Sequence, residues 1–183
     1  MAIRCKTPIV HALTAQLAYF GHEAKLKRAR LFTWDEALAN NLIILGGPAQ
    51  SSVFLQLPQL ESLLLKAPTQ QPYLGEEAVR DARAGTGRQD TVYRPTRQRD
   101  AAIEYAIVAL TPGASSDHSI LILAGTNTFA TQSAAEFVCN PTLLKVLFEQ
   151  LGVNEGQAVP RFEALLKVEI RGGASLEPHL LLV

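Results

Sequence analysis

The chain has 183 residues, 48% of them hydrophobic, with 17 basic and 17 acidic side chains. That length supports one domain with a real core and is short for two. The charge balance removes any global electrostatic pull toward nucleic acid or an anionic membrane. Apolar runs such as Leu42 to Leu45 and Leu180 to Val183 fall far short of the roughly 20 residues that span a bilayer. Neither nucleic acid nor membrane is therefore expected as a partner. The start, Met1 to Lys6, lacks the apolar stretch of a secretory signal, so a cytoplasmic location is expected. Cys5 and Cys139 are too few and too far apart for a disulfide framework or a CxxC metal site, and read as reduced thiols.

In chain order, Thr7 and Pro8 look like a cap and first helical residue, and Ile9, Leu13, Leu17 and Phe20 recur at helical spacing before Gly21. This predicts a helix over about 8–20. Residues 24–32 mix cationic and apolar side chains and read as a strand. Thr33 to Glu36 forms a capping-box pattern for a short helix ending near Asn40, and Leu42 to Leu45 reads as a second strand. Strand, helix and strand in that order favour a parallel βαβ pairing.

After Gly46, Gly47 and Pro48, Ser51 or Ser52 would cap a short helix that Pro58 ends. Residues 60–66 are ambiguous between helix and strand. Apolar content collapses over about 67–100, which reads as a flexible polar segment broken by a short strand near Thr91 to Tyr93. Residues 103–111 and 119–123, joined by a Pro/Gly/Ser loop, read as an antiparallel hairpin. A helix begins near Thr131 and restarts at Asn140 and Pro141, with Leu143, Leu147 and Leu151 on one face and Gly152 as its stop. Residues 161–171 and 179–183 form a second hairpin candidate. The expected fold class is α/β: a three-layer Rossmann-like sandwich with a mixed sheet and antiparallel hairpins, in one domain over residues 1–183.

Two segments share one plan. Both Leu42 to Ser52 and Ile120 to Thr131 run from an apolar strand through glycine into hydroxyl and amide side chains at the start of a helix. Glycine lets the chain turn and lets a ligand approach the backbone. The first amides of the following helix carry the positive end of its dipole. The candidate ligand-binding residues are therefore Gly46, Gly47, Gln50, Ser51 and Ser52 at the first junction. At the second they are Gly125, Thr126, Asn127, Thr128 and Thr131. The same glycines and hydroxyls also suit plain turns and helix caps. The two loops share a sheet edge only if their strands run parallel, which spacing does not reveal.

Known cofactor signatures are missing. Residues 46–52 match neither GxGxxG nor a P-loop, so no cofactor is assigned. Gly85 and Gly87 stand in the polar middle without a strong preceding strand and read as loop. His11, His22, His118 and His179 are widely separated and form no HExxH pattern, so no metal is expected. Asp117 and His118 read as turn residues, and Glu136 completes a capping-box spacing with Ser133. Arg80, Arg83, Arg88, Arg94, Arg97 and Arg99 lie among Glu76, Glu77, Asp81, Asp90 and Asp100, which reads as a solvated loop rather than a nucleic-acid arm.

Residues 41–48, 105–112, 120–126 and 134–137 together resemble a bacterial α/β domain of uncharacterised activity, found at the C-terminal end of regulator-like proteins. The resemblance covers about residues 24–183 and implies a C-terminal position in a larger regulator, but no reaction. In that pattern an asparagine follows Gly-Pro in the first loop and a Gly-Thr precedes the Ala-Ala helix in the second. Gln50 to Ser52 and Ala130 with Thr131 stand in their places here. The expected role is a non-catalytic sensing or interaction module for a small polar or nucleotide-like molecule. The partners are that ligand and either an upstream regulatory domain or a second copy. Two alternatives are a nucleotide or N-glycosidic-bond hydrolase using Glu136 or Asp117, and a structural dimerisation domain pairing through Leu180 to Val183.

Overall fold

A computed structural model describes residues 7–47, 60, 63–66, 78–82 and 91–183. Helix α1 spans Thr7–Tyr19, and Ile9 and Leu13 are the residues it buries. Phe20, expected to extend that apolar series, lies past the helix and is exposed. The expected strand at 24–32 is not formed. The stretch holds only a 3₁₀ turn at Ala29–Leu31, because four cationic side chains in nine residues leave no continuous apolar face to bury. Helix α2 covers Trp34–Ala39. Its first turn is closed by the Glu36 carboxylate, which accepts the Thr33 amide at 3.2 Å and also meets Lys27.

Among the described residues, strand β1, Leu42–Leu45, therefore has no strand before it to complete a βαβ unit. Its partner is distant in sequence. It pairs in parallel with β7, Ser119–Gly125, placing Leu42 beside Ile120 and Leu45 beside Leu123. Between them in the chain come β2 (Leu63–Lys66), β3 (Ala78–Asp81), β4 (Thr91–Tyr93), β5 (Thr96–Arg97) and β6 (Ala101–Pro112). The segment read as flexible loop thus contains β3, β5 and the expected β4. Its short apolar pieces form strands because β2, β3 and β4 pair antiparallel and bury Leu63 and Val79 against the main sheet.

Helices α3 (Thr128–Cys139) and α4 (Pro141–Leu151) follow β7, and then β8 (Phe162–Arg171), β9 (Ala174–Ser175) and β10 (His179–Leu182) close the chain. The main sheet is mixed, in the order β1, β7, β6, β8, β10, with β5 on β6 and β9 on β8. Both expected hairpin pairings are present, β6 with β7 and β8 with β10.

The alternation of β6 assigns its two faces. Ala106 and Val108 point into a core with Ile9, Leu13, Ala134, Phe137 and Leu147 from the three long helices. Ile107 and Ala109 point the other way, toward Leu60, Leu63 and Val79. The layer described on this second face is strand rather than helix. It is pinned where the Leu63 amide donates to the Glu163 carboxylate of β8 at 2.6 Å.

Helix α3 starts at Asn127, whose side chain accepts the Ala130 amide at 2.8 Å. The capping-box reading of Ser133 and Glu136 is therefore overturned. Ser133 sits inside the helix, fully buried and with no partner for its hydroxyl among the described residues. Glu136 is exposed and accepts from Gln132. Helix α4 starts as expected, with the Asn140 side chain accepting from Thr142 and Leu143, and ends on Gly152 at φ 67°.

Two substitutions separate packing from polarity. Leu147→Ala removes a fully buried side chain and should cost about 2–5 kcal/mol in denaturant unfolding. Ser133→Ala removes an unsatisfied buried hydroxyl and should leave stability unchanged or raise it by up to about 1 kcal/mol.

Candidate functional site

The parallel pairing of β1 and β7 brings both strand-glycine junctions to one sheet edge. The Gly46 amide donates to the Leu123 carbonyl at 2.9 Å, so the first turn begins directly beside the end of β7. Gly46 has φ 103°, a conformation that side-chain-bearing residues rarely adopt, and Gly46 and Gly47 are both buried. Gly125, Thr126, Asn127, Thr128 and Thr131 follow at the same edge. Gln50, Ser51 and Ser52 lie outside the described residues.

Gly125 is explained by packing. A Cβ there would lie 2.5 Å from the Thr131 nitrogen and 2.6 Å from the Ala130 Cβ. The absent side chain lets the first turn of α3 settle onto the strand end, and Ala130, Ala134 and Ala135 continue that close approach.

Much of the second loop's polarity is consumed internally. The Thr131 hydroxyl donates to the Asn127 carbonyl at 3.1 Å. The Thr126 hydroxyl accepts the Tyr105 amide at 3.0 Å and donates to Glu104 Oε2 at 2.7 Å. Two groups have no partner among the described residues: the Asn127 side-chain nitrogen and the Thr128 hydroxyl. Both residues are half-buried at the mouth of the edge.

Glu104 was not among the expected site residues, and it is the most unusual group nearby. It is fully buried at the start of β6, and its Oε1 accepts from Arg97 Nε at 3.0 Å. Arg97, read from composition as part of a solvated loop, keeps about half its side chain in solvent while its inner edge neutralises the carboxylate. The signal was a lone acid inside the apolar run from Ala101 to Leu110. On the opposite face Tyr105 packs against Tyr93 at a 56° tilt with ring centroids 5.4 Å apart, tying β4 to the same end of β6.

The alternative carboxylates do not reach this edge. Asp117 lies in the turn before β7, so the seven residues of that strand separate it from Gly125, about 20 Å at ordinary strand rise. There Ser116 donates to Asp117, the Ser115 hydroxyl meets His118 Nδ1 at 2.8 Å, and the same hydroxyl holds the Leu38 carbonyl of α2. Glu136 is exposed two turns along α3. No cluster of three or more His, Cys, Asp or Glu suited to a metal occurs among the described residues. No helix there is long and apolar enough to cross a membrane.

The shifted acidities have local causes. Lys27 beside Glu36 and Lys167 beside Glu169 hold those exposed carboxyls below the usual range by hydrogen bonding. Partial burial, aided by the Glu136 charge, pushes the Cys139 thiol up and keeps it protonated.

No family model, curated protein or solved structure matches the chain. The site's chemistry must be read from its own residues.

The Glu104 pair is the measurable core of this edge. Glu104→Ala should destabilise by about 3 kcal/mol, since it strips a buried partner from Arg97 and Thr126. Glu104→Gln should lose less, because it keeps an oxygen for one of them. Thermal and denaturant unfolding of the two variants would show this order.

Proposed function

We propose that the protein is a non-catalytic sensing module that holds a small polar or nucleotide-like molecule at the edge where β1 and β7 end. The supporting observation is the parallel β1 and β7 pair, which puts two glycine turns side by side, with the Asn127 amide nitrogen and the Thr128 hydroxyl beside them lacking a partner among the described residues. Ligands in open α/β sheets sit outside the carboxyl ends of such strands. The start of α3 adds the positive end of a helix dipole, which favours a phosphate or carboxylate.

The Rossmann-like aspect of the fold belongs to this reading. It is supported by the parallel pair and its crest of loops, while a second helical layer is not among the described elements. A regulatory role, with the segment before β6 reporting on ligand through Arg97 and Glu104, is also part of the proposal, as is the resemblance to the bacterial regulator domain.

Among the described residues, none at this edge supplies an unengaged carboxylate for hydrolysis. Both oxygens of Glu104 already accept hydrogen bonds.

Thermal-shift screening with nucleotides and sugar phosphates should find a ligand that stabilises the fold by about 2.7 kcal/mol at a hundredfold excess over its dissociation constant. The ligand should be recovered chemically unchanged. Asn127→Asp is the discriminating variant. Aspartate keeps the cap on Ala130 while replacing the free donor with a negative charge. It should weaken binding at least tenfold, about 1.4 kcal/mol, with little loss of fold stability. Unaltered affinity in Asn127→Asp would place the ligand elsewhere.

A further inference from the structure

The side chains of β1 say little about where the strand should sit. Leu42, Ile43, Ile44 and Leu45 are all aliphatic, so sliding them along β7 by one residue or by two still offers an apolar side chain at every position. Hydrophobic pattern alone leaves the register open. The structure nonetheless holds one register, from Leu42 beside Ile120 to Leu45 beside Leu123. The far end of the strand depends on it. A two-residue slip keeps each side chain on its own face but moves Gly46 by about 7 Å at ordinary strand rise. That movement breaks the 2.9 Å bond from the Gly46 amide to the Leu123 carbonyl and parts the two glycine turns.

Polar contacts at the near end supply the missing choice. Asn41, the residue before β1, accepts the Ser119 amide on its side-chain oxygen at 2.8 Å, and Ser119 is the first residue of β7. One strand start is thereby tied to the other. The neighbouring Asn40 has a different task, donating to the Glu36 carbonyl of α2 at 2.9 Å.

A second contact backs the first. The Leu38 carbonyl accepts the Ser115 hydroxyl at 3.1 Å, and that hydroxyl meets His118 Nδ1 at 2.8 Å. The turn carrying Ser115 and His118 is tightly closed, because the Gly113 amide donates to the His118 carbonyl at 2.7 Å. A Cβ on Gly113 would lie 2.6 Å from that carbonyl oxygen. The end of the β6 and β7 hairpin is thus a fixed template for the segment from Leu38 to Asn41.

We infer that Asn41 is a positioning residue for the junction edge. Its contact with Ser119, backed by Leu38 on Ser115, sets the register in which β1 docks on β7 and so delivers the Gly46 turn to Gly125. Its importance to a ligand rests on the site proposed above, whereas the register does not.

Backbone NMR on the full chain reads the register directly and needs no ligand. In the parent protein, scalar coupling across the hydrogen bond should join the Gly46 amide to the Leu123 carbonyl, and β1 should give one set of amide signals. Asn41→Ala and Asn41→Leu remove the acceptor at an exposed position. Both should weaken or erase that coupling and give β1 a second set of signals or exchange broadening, while β6 and β8 keep theirs. Asn41→Asp retains an acceptor and should keep the single set. An intact coupling with one set of signals in Asn41→Ala and Asn41→Leu overturns the inference. So does unfolding of the whole chain in both, since Asn41 would then support the fold at large rather than one register, and so does broadening that Asn41→Asp shares. If the register responds as expected while the thermal-shift screen finds no ligand, the binding reading alone falls.

Discussion

Strand β6 is the constraint on which everything else rests. Of its 12 residues, Ala106 to Pro112 pair with β7 on one side and Ala101 to Leu110 with β8 on the other. Ala106, Ile107, Val108 and Ala109 are all fully buried. A strand covered on both faces needs two layers over it, and the chain supplies a helical layer and a small sheet. Into the beginning of this strand is set one carboxylate, Glu104. It tolerates burial because Arg97 and Thr126 reach it from both sides, and those contacts join β5, β6 and the loop after β7 into one unit.

The same economy governs the junction edge. Gly125 is there so that α3 can touch the strand, and Asn127 and Thr131 knit the first helical turn. Most hydroxyls that look available in sequence are committed to the fold. Among the described residues the Asn127 amide nitrogen and the Thr128 hydroxyl are left over, and they sit at the start of a helix fixed by those commitments.

The outer side of β1 shows a different balance. Residues 22–32 are strongly cationic and form no strand, so among the described residues β1 has no neighbouring strand on its outer side. Its burial pattern is partial, with Ile43 facing solvent. Among the described residues the sheet ends in four aliphatic residues beside a cleft of mixed polarity.

Periodicity and capping chemistry made α1, α2, α4, the β6 and β7 hairpin and the antiparallel β8 and β10 pair legible, because helix spacing, Asn140 with Pro141, and Gly152 act within a few residues. The same local rules misplaced Ser133 and Glu136, whose spacing mimics a cap while Asn127 holds the real one. They also overlooked β3 and β5, whose strand state depends on partners rather than propensity. Both glycine junctions could be marked along the chain. Their adjacency could not, since β1 and β7 are separated by more than 70 residues, and pairing between them is decided by competition among all strands for the two sides of β6 and β7. Glu104 illustrates the same division. Its presence in an apolar strand is visible in the residues, but that it is buried, neutralised by Arg97 and bound to Thr126 follows from long-range packing alone.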